Sequence, residues 1–416
     1  MKHLLNSIRA WLQKHYQTVV NSIAFYPALI TLSFLSLSVL LVIFDFSEAG
    51  RHFKSRLHWF SLKDAETART IVSAIVTGII SLTVFSFSMV MIVLNQAASQ
   101  MSNRVLRKMI GNRFQQVVLG IYIGTVVYAL FLLSTIRSID SGVSVPALST
   151  YLLIAITAFD IFLFIYFLHY ITQSVKYEVV IRKIHRQTTD VLSQTCHLQR
   201  EPEKVSFPES HYPVFSAKAG IYEGLDTDTL LSLCEENDCL LQLLHTPGTF
   251  LLKGIPLLMA TKPLPAHVDE AVLEAIPLTD EETIERNFLH GFRQLTEVAI
   301  KALSPGINDP GTAVVSLQAL FQLFAYRGAH FPDPVIKDEK GRAKIFTREM
   351  PFEKIVTDAL HPVWNYGKSD PMVQQALLHL LNQLQACTPN ATVDAWLQKV
   401  KAAIKEPLLK PLDEYT

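Results

Sequence analysis

One acid stands inside an otherwise apolar run. Asp160 lies near the middle of residues 145–175, with no Lys or Arg at the same depth. An ionised carboxylate placed there costs several kcal/mol. The residue type and position therefore point either to a proton or ion site, or to a protonated acid that hydrogen-bonds between helices. Tyr122, Tyr128 and the hydroxyl residues of a neighbouring apolar run are its expected partners.

That neighbouring run, residues 70–94, carries the second pattern. With helical residues advancing about 100° each, Thr70, Ser73, Thr77, Ser81, Ser88, Asn95, Ser99 and Ser102 fall within about 80° of one another. Val84 and Met91 interrupt the stripe with apolar groups. Small hydroxyl residues let helices approach closely in a membrane. The same stripe also suits a water-lined path, narrowed where Val84 and Met91 meet and gated by dewetting. The pore-lining candidates are Ser73, Thr77, Ser81, Val84, Ser88, Met91 and Asn95. Gly120 and Gly124 form a GxxxG pair in the next run, a close-packing face whose partner the motif does not name.

A third constellation lies far along the chain. Ser304, Asn308, Asp309 and Pro310 sit between two helical patterns, with Asp309 as N-cap and Pro310 at the first helical position. They read as a joint that fixes the angle between two helices; the alternatives are a cation held by Asn308 and Asp309, or an anion at the helix N-terminus.

Other chemistry is absent from the sequence. It has no GxxxxGK[ST] loop, no GxGxxG, no HExxH and no GxSxG. His185, His197 and His211 have spacings that fit no zinc site. His169, between Tyr166 and Tyr170, reads as an interfacial residue. Cys196, Cys234, Cys239 and Cys387 form no disulfide framework, and Cys234/Cys239 lacks the usual two-residue metal or redox spacing, so all four read as buried thiols. Lys plus Arg and Asp plus Glu balance at 37 each, which excludes a global basic excess for nucleic acid. The expectation is no enzyme, no metal and no cofactor.

The elements that carry these residues follow from hydropathy. Half the chain is hydrophobic and 18% is charged, with the apolar excess concentrated before residue 175. A bilayer core needs about 20 apolar residues in a helix. Four stretches qualify: 22–44, 70–94, 114–136 and 145–175. The first is too long for a signal-peptide apolar region and lacks a small-residue cleavage site, so it is expected to be retained. Lys and Arg near the span ends set orientation. Eleven (Lys2, Arg9 and Lys14; Arg104, Arg107, Lys108 and Arg113; Lys176, Arg182, Lys183 and Arg186) lie on one side, against six on the other. Both termini are therefore expected in the cytoplasm.

After the spans, residues 176–200 read as a continuing helix broken at Glu201-Pro202. A β-rich module runs to 278, as a small barrel or sandwich. A helical module, 279–416, opens with Glu281, Glu282 and Glu285 in the first turns of a helix. The charged segment 337–342 reads as a solvated hairpin or insert. Two closing helices follow, near 370–386 and 391–404. The fold class expected is an α-helical polytopic membrane domain (1–175, four transmembrane helices) followed by an α+β soluble cytoplasmic domain.

The run Ala299-Ile300-Lys301-Ala302-Leu303-Ser304-Pro305-Gly306-Ile307-Asn308-Asp309-Pro310, with Thr312-Ala313, resembles the bacterial family of predicted membrane proteins catalogued as domain of unknown function 2254. Asn95-Gln96-Ala97-Ala98-Ser99-Gln100 with Arg104, Leu106 and Arg107, Phe167-Leu168-His169-Tyr170, and Pro247-Gly248-Thr249-Phe250 leading to Gly254-Ile255-Pro256-Leu257 resemble it too. The sequence departs from the pattern at Gly311, where a bulkier residue is expected, and at Thr249, where Asp is usual. The resemblance implies a multi-pass protein of the bacterial inner membrane with a soluble C-terminal region, and supplies no activity.

The reading that joins these observations is a homo-oligomeric ion channel or channel-like transporter in the lipid bilayer, moving an ion or small solute, with a cytoplasmic regulatory domain. The alternative is a membrane-anchored sensor or scaffold whose cytoplasmic domain binds a ligand or partner protein.

Overall fold

The computed structural model describes residues 22, 24–56, 64–100, 113–136, 145–174, 176–202, 207 and 212–404. The chain divides into two compact units, the second beginning at Tyr177.

The first unit contains α1 (Phe25–Phe46), the short α2 (Glu48–Arg56), α3 (Ala65–Gln100), α4 (Arg113–Thr135) and α5 (Ala147–Ser174). Four of them, all but α2, are long and apolar enough to cross a membrane. Their bounds lie within a few residues of those expected, except that α3 starts five residues earlier and continues past 94.

The GxxxG pair packs within the chain. A Cβ on Gly120 would stand 2.9 Å from Pro27 Cα, and one on Gly124 would stand 2.8 Å from Phe34 Cγ. The missing side chains let α1 and α4 approach closely. At one end, Asp45 is fully buried and caps α5: its Oδ2 accepts from Ser149 N at 2.8 Å and Ser149 Oγ at 2.6 Å. An acid at a helix N-terminus meets unpaired N–H groups and the positive end of the dipole. Tyr128 Oη donates to Ser149 O at 3.1 Å beside it. Arg69 ties the start of α3 to the end of α4 through Ile136 O, 3.0 Å away. At the other end Phe114 packs its ring against Phe167 and Tyr170.

The second unit opens with α6 (Tyr177–Thr195), whose Val180, Ile181, Ile184, Thr188 and Leu192 are buried. The expected continuation to 200 ends sooner. Residues Cys196–Leu198 form β1, which pairs with β8 (Phe331–Pro332). Then come β2 (Tyr212–Phe215), β3 (Gly220–Tyr222), α7 (Thr227–Glu236), β4 (Leu241–Leu243), β5 (Thr249–Leu251), β6 (Pro256–Ala260), α8 (Ala266–Ala275) and β7 (Leu278–Thr279). Asp226 caps α7 by accepting from Thr229 N. The chain continues through α9 (Phe288–Ala302), α10 (Pro310–Ala329), β8, β9 (Val335–Lys337), β10 (Ala343–Phe346), α11 (Phe352–Gly367), α12 (Pro371–Cys387) and α13 (Ala391–Ala403).

One sheet takes strands from both sides of the expected division at 278. The five-stranded sheet has the order β2-β6-β4-β10-β9, so two strands from the supposedly helical module complete it. The pairing of β10 with β4 is parallel, whereas the other neighbours are antiparallel. A second sheet, β5-β3-β7, stands beside it, so the β-strands form open sheets instead of a barrel within 176–278. The charged segment turns between β9 and β10. Asp338 Oδ1 accepts from Lys340 N and Arg342 N, and Gly341 takes a positive φ of 75°. In the second unit, α8 and α11 have no counterpart in the sequence expectations. Pro362 inside α11 argues locally against a helix, but Phe352, Ile355, Val356, Ala359, Leu360 and Val363 bury one face of it.

Candidate functional site

The expected pore-lining residues all lie on the outside of the single chain. Ser73, Thr77, Ser81, Ser88 and Asn95 are exposed; Val84 is 61% and Met91 44% exposed. The hydroxyls are satisfied within their own helix. Thr77 Oγ1 donates to Ser73 O, Ser81 Oγ to Thr77 O and Ser88 Oγ to Val84 O, at 2.9–3.0 Å. Ser99 has no described side chain, and Ser102 lies outside the described residues.

The opposite face of α3 contributes a different residue, Ser86, which is buried. Its hydroxyl makes no close hydrogen bond. Tyr122 on α4 is fully buried beside it; the phenol and the Ser86 hydroxyl face each other, and the phenol makes no other hydrogen bond. Asp160 on α5 is fully buried, with both carboxylate oxygens unbonded. Its polar neighbour is Thr125, whose hydroxyl donates to Ile121 O at 3.0 Å. Of the partners expected for Asp160, only Tyr122 stands near it, within reach of its charge. Tyr128 is engaged with Ser149, and the hydroxyl stripe faces away. A cavity of about 200 Å³ opens between α3 and α4. It is lined by Ser86, Gln116, Tyr122, Met91 and Phe167 among others.

The Ser304–Pro310 segment has the geometry of a joint. Asp309 Oδ1 accepts from Thr312 N at 3.0 Å and its Oδ2 from Thr312 Oγ1 at 2.6 Å, so both oxygens serve the cap of α10. Asn308 turns the chain in the left-handed region at φ 48°, and Asp309 N returns to Ala302 O at 2.8 Å. Ser304 Oγ donates to Lys301 O at 2.7 Å. The Gly311 position is roomy, since a Cβ there would meet only Asp309 Oδ1, at 3.4 Å. Among the described residues no group of three or more His, Cys, Asp or Glu could hold a metal.

Sequence reading missed a buried ionic cluster. Residues 280–287 precede α9 instead of opening it, and Asn287 is the cap, accepting from Leu289 N at 3.1 Å. Glu282 is therefore not a first-turn acid. It pairs with Arg293, accepts from Asn287 Nδ2 at 3.3 Å and faces His290 Nδ1 at 3.4 Å. Burial pushes its carboxyl up, but the hydrogen bonds and charges of His290, Arg293 and Asn287 outweigh it and hold the group below its ordinary value. Gly248, at φ 87°, rests on this cluster, where a Cβ would collide with Arg293, Glu282 and Asn287. With His290 Nε2 also engaged by Gln294 at 2.7 Å, neither ring nitrogen is open to a substrate. The cluster anchors the Pro247-Gly248 turn. Thr249 closes that turn by donating to Thr246 O at 2.7 Å.

Cys234 and Cys239 are also side by side, despite their unusual spacing. Both are buried, and Cys239 N donates to Cys234 O at 3.1 Å. The Cys234 thiol donates to Lys344 O at 4.0 Å; the neighbouring Cys234 thiol, with Lys344 and Lys262, holds Cys239 below the ordinary thiol range and leaves Cys234 raised. Cys387, in contrast, is exposed, which corrects the expectation of four buried thiols.

A family model described as predicted membrane protein matches residues 20–383, which takes in all four apolar helices and most of the second unit. The chain belongs to the DUF2254 family. Two similar relatives are an uncharacterized protein of Mycobacterium bovis and an uncharacterized protein of Mycobacterium tuberculosis. Each is 27% identical over 335 residues, covering 77% of this chain. The chain spans 63% of the length of these curated relatives. No solved structure matches it. This DUF2254 member thus combines four membrane-length helices with a second unit of helices and sheets.

Proposed function

We propose that this DUF2254 protein is a homo-oligomeric channel or channel-like transporter for an ion or small solute. On this reading it lies in the bacterial inner membrane, both termini are cytoplasmic, and the second unit regulates the path. One observation carries the proposal: the hydroxyl stripe of α3 is left uncovered by the other three membrane helices of its own chain. Facing lipid, such a stripe gains nothing over aliphatic residues. Against the stripe of a second copy it allows close packing, and around an axis it presents hydroxyls and carbonyls to water. Val84 and Met91, exposed on the same face, are the apolar constriction. The reading gives the chain no enzymatic step, metal or cofactor.

The test is solute or ion flux into vesicles containing the purified full-length protein. Replacing Ser81 and Ser88 by Leu should abolish flux while the oligomer persists. Unchanged flux would remove α3 from the path.

A second reading, a membrane-anchored sensor or scaffold, is favoured by the surface of the second unit. Phe215, Phe250, Leu252 and Ile255 are exposed large apolar residues, and Ser216 N donates to Ile255 O at 2.9 Å, which places two strand ends together. An apolar tip of this kind suits a partner protein. A separate cavity of about 380 Å³ between α10 and α12, lined by Gln318, Gln322, His379 and Gln383, suits a polar ligand. In that case flux is absent, and the second unit alone should account for binding.

A further inference from the structure

Buried polar atoms without hydrogen bonds are rare in native proteins, and each calls for an explanation. In the membrane helices they occur together. Ser86 Oγ, Tyr122 Oη and both oxygens of Asp160 come from three different helices, and all are buried. In the dry core of a membrane, where no bulk water compensates, the cost is larger still.

A cavity between α3 and α4 borders two members of the group. Its lining runs along α3 from Leu94 to Ser86 and along α4 from Gln115 to Tyr122. Eight residues of helix span roughly 12 Å, so the cavity extends from the Leu94/Gln115 end of the bundle as far as Ser86 and Tyr122. Asp160 stands close to Tyr122. Toward the other end the polar groups are already satisfied: Tyr128 donates to Ser149 O, and Ser149 Oγ donates to Asp45.

We propose that Asp160, with Tyr122 and Ser86, is a proton-binding site, Tyr122 standing both near Asp160 and on the cavity lining. A metal cation is the poorer fit. Ca²⁺ takes six to eight oxygens, and here there is one carboxylate, while the Thr125 hydroxyl hydrogen is committed to Ile121 O. An anion would meet the carboxylate. A proton needs a single lone pair and converts Asp160 into a neutral donor and acceptor. The step balances without another reactant, because a hydronium gives its proton to the carboxylate and leaves as water.

Few charges compete. The titratable group facing Asp160 is Tyr122 on α4. Of the charged or imidazole side chains, α1 carries only Asp45 at its end, and α3 only Glu66 and Arg69 in its first turns. Likewise, α4 carries only Arg113 in its first turn, and α5 itself only His169, more than two turns away. This inference is independent of whether α3 lines a path between copies.

The test is infrared spectroscopy of the full-length protein in neutral-lipid vesicles, from acidic to alkaline buffer. The expected result is a protonated-carboxyl carbonyl band that is present at neutral pH, is lost reversibly in alkali and is missing from Asp160→Asn. Exchanging choline for sodium should not change it. Tyr122→Phe and Ser86→Ala keep the carboxyl and should shift the band, which holds the test open if Asp160→Asn does not fold. A band absent at every pH, one that never titrates, or one that sodium displaces at constant pH would each overturn the proposal. The last outcome would identify a metal-cation site instead.

Discussion

Asp45, the last acid before α1 ends, caps α5 more than a hundred residues later by accepting both the N–H and the hydroxyl of Ser149. The bond joins the first and last membrane helices at one end of the bundle. Replacing an N-cap acid by Ala costs about 1 kcal/mol, and up to about 2 where the site is buried. Asp45→Ala should therefore lower the detergent melting transition of the protein. Asp45→Asn, which keeps an acceptor for Ser149 N, should recover part of the loss. Equal melting of all three proteins would show that the cap contributes nothing.

The close approach of α1 and α4 makes Gly124 intolerant of size. A Cβ there would already press on Phe34. Gly124→Leu should destabilise the membrane unit by about 1–3 kcal/mol, the usual cost of overpacking. Gly78, whose Cβ would meet nothing within 4 Å, is the internal control. Gly78→Ala should leave the melting transition unchanged or raise it slightly.

At the joint between α9 and α10, two neighbours act through different physics. Asp309→Ala removes the cap on Thr312 and should cost about 1 kcal/mol. Asn308 supplies backbone tolerance, since its φ of 48° is left-handed. Asn308→Gly should be neutral or nearly so, whereas Asn308→Ala should cost roughly 1 kcal/mol. If Asn308→Gly were as damaging as Asn308→Ala, the side chain itself would have to do something beyond turning the chain.

The paired thiols carry a pH signature. Thiolate is the nucleophile, and the neighbouring Cys234 thiol, with Lys344 and Lys262, brings Cys239 below the ordinary thiol range. Its alkylation by a small reagent, read by peptide mass, should rise as pH rises through about 7. Cys196, raised to about 11 by burial, should stay inert at that pH. Cys234→Ala removes the neighbouring thiol and should move the Cys239 inflection toward the ordinary thiol value of about 8.5. An unmoved inflection would mean that the two sulfurs do not interact.

What the sequence made legible depended on how local the cause was. Span lengths follow from runs of apolar residues, and the Asp309 and Asp226 caps follow from their own neighbours. Asp45 escaped notice because its partner is distant in sequence. Ser86 escaped because it lies on the side of α3 away from the hydroxyl stripe, where one serine among apolar residues makes no pattern. The partner of Gly120 and Gly124 is set by tertiary packing, which GxxxG alone does not encode. The parallel pairing of β10 with β4 joins segments a hundred residues apart, so the boundary at 278 had no means of anticipating it. Glu282 looked like a helix-dipole acid because Asp280 to Glu285 is acidic, yet Asn287 is the residue that starts the helix.

The central claim is that copies of this chain assemble a conducting path along the outward face of α3. Planar-bilayer conductance of the purified full-length protein tests it most directly. The account predicts discrete single-channel steps, with Val84→Ser or Met91→Ser increasing open probability or conductance by wetting the constriction. A silent bilayer, with the protein shown to be inserted and folded, would contradict it.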